Sequence, residues 1–101
     1  MTQTQETHEI YKRCTIASYI SELLHRIDQA SYRADLDEVN LRQAELSGYL
    51  AALAHTDQLT LLQVDRFKVL LDAAHGPFSV FGKAYWDQHA GFIIGGGKGR
   101  F

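Results

Sequence analysis

The stretch IASYISELLHRIDQA, residues 16–30, decides the fold. Ile16, Ile20, Leu23, Ile27 and Ala30 recur at alternating spacings of four and three, the period of one face of an α-helix. Ile10, Cys14, Ala17 and Leu24 fall on adjoining faces, so the buried stripe is wide. This first helix is expected from His8 to about Ala30, preceded by a polar leader, residues 1–7, without apolar periodicity.

Working outward, a break is expected between Ser31 and Ala34. Asp35 can cap a second helix with Glu38 three positions on, the spacing of a capping box. The apolar series Leu36, Val39, Leu46, Leu50 and Leu53 continues that helix, with Gln43 in the one gap. Gly48 within it leaves room for a close helix crossing, at about 1 kcal/mol relative to alanine. A single unbroken helix from 8 to 54 is the less favoured alternative. The third helix carries the clearest signals. Thr60 and Gln63 form a capping box, and Leu59 and Val64 a hydrophobic staple. Its apolar face runs through Val64, Phe67, Leu70, Leu71 and Ala74, and Gly76-Pro77 stops it.

Beyond Pro77 the composition changes. Six of the eleven aromatic residues lie there, together with most of the glycines. A short fourth helix over Ser79–His89 is suggested by Val80, Ala84 and Asp87, and weakened by Gly82. Residues 91–101 (GFIIGGGKGRF) read as a glycine-rich tail, with a short strand open at Phe92–Ile94. The expected fold is therefore all-α: an antiparallel helical hairpin plus a third helix, three-helix-bundle-like, with a short fourth helix or an aromatic, glycine-rich tail. Residues 8–90 make the single helical domain. Two helices and a shorter third leave apolar surface on the wide stripe of the first, which predicts a homodimer.

Composition limits the function classes. At 101 residues, 46% apolar and 22% charged, the chain suits one folded core. A lone cysteine, Cys14, excludes an intramolecular disulfide, no apolar run approaches the length of a bilayer span, and a cytoplasmic protein is the expectation. The net charge of −2 argues against a wholly phosphate-binding surface. Past residue 75, however, Lys83, Lys98 and Arg100 outnumber the one acid, Asp87.

Chemical motifs fail on spacing. Gly95-Gly96-Gly97-Lys98-Gly99 lacks both the earlier glycine and the hydroxyl of a phosphate loop, where Phe92 and Gly99 stand instead. His8-Glu9 begins a zincin motif that Lys12 breaks, and the histidines, His8, His25, His55, His75 and His89, show no i, i+4 pair. Cys14 follows Lys12 and Arg13, but buried packing is the favoured role. Asp35, Asp37 and Glu38 are explained by the start of the second helix. The reading is thus a non-enzyme without metal or cofactor.

Aromatic rings and arginine dominate protein interfaces, so Phe81, Lys83, Tyr85, Trp86, Phe92, Lys98 and Arg100 are the candidate partner-binding residues. The competing role for the same rings is a lid over a small core. In size and matched helices, though in no specific motif, the chain resembles small proteins of phages and mobile elements, including inhibitors of host enzymes. That implies a protein-protein interaction module, an inhibitor or regulator of a host macromolecule. The alternative is a small nucleic-acid-binding transcriptional regulator.

Overall fold

The computed structural model describes the backbone of residues 2–75 and 81–95, and the side chains of residues 15–75 and 81–95. Four helices make up these residues, α1 (Thr2–Tyr32), α2 (Leu36–His55), α3 (Leu61–Ala74) and α4 (Lys83–Ile94), and no strand occurs among them.

The first helix is the spine. Ile20, Leu23, Leu24, Ile27 and Ala30 are all buried, because α2, α3 and α4 each pack on α1. Among the described residues α2 and α4 do not touch, so each depends on α1 and α3. With 31 residues, α1 is about 46 Å long, close to the 50 Å long axis of the molecule. It begins at Thr2, so the helix includes residues 2–7, where the sequence predicts a polar leader. Without glycine or proline, and rich in Gln, Glu and Thr, they add to an existing nucleus at little cost.

Both breaks flanking α2 use the same device. Asp35 N–H donates to the Ala30 carbonyl at 2.9 Å and Ala34 N–H to that of Ser31 at 3.1 Å, with Ala34 left-handed at φ 58°. Gln58 N–H reaches Leu53 at 2.8 Å and Asp57 N–H reaches Ala54 at 3.2 Å, with Asp57 at φ 61°. These are Schellman caps, which glycine usually serves. The break at 33–35, slightly later than the expected Ser31–Ala34, sets aside a single helix over 8–54.

Starts follow the capping logic. Thr60 Oγ1 accepts from Gln63 N–H at 3.1 Å, and Gln63 Oε1 accepts from Thr60 N–H at 2.8 Å, completing the box. Leu59 and Val64 are both buried beside it. Asp35 accepts from Glu38 N–H at 3.2 Å, but the Glu38 carboxylate takes Arg42 at 2.8 Å instead of returning to the cap. Gly48 meets no close crossing, since a Cβ there would have nothing within 4 Å.

The chain past α3 departs most from expectation. His75 caps α3, while Gly76-Pro77 and residues 79–80 lie outside the described residues. The fourth helix starts at Lys83, with Gly82 as its cap, and runs to Ile94, so residues 91–94 are helical, neither tail nor strand. Its buried series is Trp86, Ala90 and Ile93, which takes precedence over the spacing of Val80, Ala84 and Asp87. Because α4 lies on α1, it covers much of the stripe whose excess predicted a dimer through α1.

Relieving the left-handed alanine, Ala34→Gly is expected to raise unfolding free energy by about 0.5–1 kcal/mol, measured by urea denaturation. Asp57→Gly should gain less, because aspartate tolerates that conformation better.

Candidate interaction surface

An acid on the spine builds the α1–α4 contact. Asp28 follows Ser21 and Leu24 at i+7 and i+4, a polar-edged line on α1 that faces α4. It is fully buried, and its Oδ2 accepts from Phe81 N–H at 2.6 Å and from the Trp86 indole Nε1–H at 3.3 Å. Phe81 precedes the α4 cap, so a side chain of another helix fixes the approach to α4. The second oxygen, Oδ1, is buried without a partner among the described residues.

Rings close around this anchor. Phe81 and Tyr85 stack at 4.1 Å with planes 12° apart, and Trp86 meets both edge-on at 5.4 and 4.9 Å. Tyr85 also rests on His89 at 4.3 Å. Trp86 has no exposed surface, so it serves as core and not as a contact for a partner. Phe81, Tyr85 and Phe92 are half-buried.

The Lys83 ammonium is also engaged. It donates to Asp87 Oδ1 at 3.0 Å, and Ser21 Oγ donates to the same oxygen at 2.5 Å. The Ser21 hydroxyl, with Lys83 adding its charge, holds the Asp87 carboxyl below the usual carboxylate range against partial desolvation. Lys98 and Arg100 lie outside the described residues, as do the side chains of His8, Lys12, Arg13 and Cys14. The structure therefore joins Phe81, Tyr85 and Trp86 in one cluster, with Lys83 at its edge.

Across the molecule, polar ties bind α1 to α2. The Tyr19 hydroxyl donates to Glu45 Oε2 at 2.5 Å, Arg42 donates to Glu45 Oε1 at 2.7 Å, and Tyr19 packs edge-on to Tyr49 at 4.6 Å. Sharing that hydrogen bond lowers the Glu45 pKa and raises that of Tyr19.

Exposed apolar surface concentrates on α2 and α3. Leu61, Leu62 and Val69 are 76%, 61% and 67% exposed, and Leu36 and Leu41 of α2 also face solvent. Between the two helices runs a groove of about 630 Å³, with Leu50, Ala51, Ala54, Leu61, Val64 and Leu71 among its walls and His55 and Lys68 at its rim. None of these residues belongs to the candidate partner-binding set that the sequence singled out. The exposure of Leu61, Leu62 and Val69 follows from how α3 is rolled against α1 and α2. Asp28 was missed too, although an acid in line with Leu24 on an apolar helix marks a buried polar contact.

No group of three or more His, Cys, Asp or Glu side chains able to hold a metal occurs among the described residues. No helix among them is long and apolar enough to cross a membrane. No family model, curated protein or solved structure matches the chain.

Replacing the anchor tests its role. Asp28→Ala strands the buried indole N–H of Trp86 and the partly buried N–H of Phe81, and is expected to cost about 2–4 kcal/mol. Trp86 is the only tryptophan, so its emission should shift to the red as α4 loosens. An unshifted spectrum with unchanged stability would show that Asp28 does not hold α4.

Proposed function

We propose that this chain is a non-enzymatic helical module that binds another protein, in the manner of a small inhibitor or regulator, through its α2–α3 side. The observation that carries this reading is the groove between α2 and α3, floored by the core residues Leu50, Val64 and Leu71, with the exposed Leu61 and Ala51 at its mouth. An exposed leucine beside an apolar groove offers a partner's apolar side chains a place to be covered. The aromatic segment that the sequence favours has less to offer, since Trp86 is enclosed and Lys83 is paired.

The scaffold in this reading is an antiparallel pair, α1 with α2, along which α3 and then α4 return. Supporting that course, Tyr19 meets Glu45 and Tyr49, Asp28 meets Phe81 and Trp86, and Gln63 Nε2 donates to the Ile93 carbonyl at 3.1 Å. The groove then lies along two helices anchored at both ends. From Leu61 to Leu71 its α3 wall is about 15 Å long, which suits roughly three turns of an amphipathic partner helix.

Affinity capture from the native host supplies the partner, and variants locate the contact. Leu61→Asp and Ala51→Asp change exposed positions and should cut recovery about tenfold or more with helical circular dichroism unchanged. Recovery should persist in Tyr85→Ala and as salt is raised. Loss in Tyr85→Ala alone would return the contact to the aromatic segment. A steep fall with salt would indicate the nucleic-acid regulator instead.

A further inference from the structure

The outward face of α3 carries a second apolar feature, separate from the groove. Leu62 and Val69 are one heptad apart and point away from the buried line of Val64, Phe67, Leu70, Leu71 and Ala74. Midway between them on the helix stand Asp65 and Arg66, both exposed and of opposite sign.

The charges of α3 differ from those of its neighbours. Among the described Lys and Arg side chains within helices, Arg26 on α1, Arg42 on α2 and Lys83 on α4 are each in an ion pair. Arg66 and Lys68 on α3 are in none, nor are Asp65 and Asp72, although Lys68 and Asp72 have the i, i+4 spacing for a pair. The helix thus presents two exposed apolar side chains, Leu62 and Val69, with the uncommitted Asp65 and Arg66 between them on one strip.

That strip is complementary to itself. If two copies cross with antiparallel α3 helices, a two-fold axis between residues 65 and 66 sets Leu62 on Val69 of the other copy and Asp65 beside the other Arg66, twice over. A parallel crossing would instead set like charges together at both positions. We propose that the outward face of α3 docks a second copy of this chain, the two helices meeting antiparallel about an axis between Asp65 and Arg66. The contact is isologous, so it closes as a dimer and does not propagate. It leaves the α2–α3 groove open, and so stands or falls independently of the groove as a binding site. With one 14-residue helix from each copy it is smaller than a standard interface, and the expected dissociation constant is on the order of 10–100 µM.

Sedimentation velocity of the full chain over roughly 5–500 µM, spanning that constant, tests the proposal. The chain should pass from monomer to dimer. Asp65→Arg and Arg66→Asp should each weaken association about tenfold or more by opposing like charges across the axis, and Val69→Asp should abolish it. The double reversal Asp65→Arg/Arg66→Asp restores opposite pairs and should return affinity to within about threefold of the parent. Leu61→Asp should leave the dimer intact, and circular dichroism should show each variant folded. A monomer at every concentration would overturn the proposal and leave the face to a different protein. A dimer indifferent to residues 65, 66 and 69, or a double reversal without rescue, would also overturn it.

Discussion

The fourth helix is held by one buried carboxylate. Asp28 Oδ2 takes a backbone N–H from Phe81 and the indole N–H of Trp86, so a single oxygen sets both where the chain enters α4 and how the largest side chain in the core is oriented. Enclosing an acid is expensive, and each donor recovers part of that cost. The contact is correspondingly specific, because another placement of α4 would leave the acid and the indole unsatisfied together. Around this point Phe81 and Tyr85 stack, and Ser21 and Lys83 converge on Asp87.

Functional consequences follow from that closure. Once Trp86 is committed to Asp28, the aromatic segment completes the core, and most of the exposed large apolar side chains among the described residues lie along α2 and α3. Gln63 links the two sides. Its backbone and side chain complete the α3 cap, and its amide also donates to the Ile93 carbonyl at the end of α4. A partner bound at Leu61, in the turn beside Gln63, would therefore press on the junction where α3 meets the end of α4.

Much of the fold was legible because its signals are local. The spacing of Ile16 to Ala30 found the spine, and Thr60 with Gln63 fixed the start of α3 to the residue. The ends of α1 and α2 were harder, since Ala34 and Asp57 adopt left-handed turns without the glycine that would announce them. The register of α4 was missed because its helical series begins at Trp86, a residue read for its interface propensity, and Gly91 interrupts the pattern without breaking the helix. The candidate site was legible only as chemistry. Rings are used equally by cores and interfaces, and only the buried acid on α1 decides between those uses here. Exposure of Leu61, Leu62 and Val69 depends on the rotation of α3 against its neighbours, which no local pattern encodes.

Hydrogen exchange of the Trp86 indole N–H, followed by NMR, bears most directly on this picture. With the indole enclosed and donating to Asp28, exchange should require global unfolding and run at least ~1,000-fold slower than in an unstructured peptide. Exchange near the peptide rate while the helices stay intact would contradict the closure of α4 on α1, and with it the assignment of binding to the opposite side.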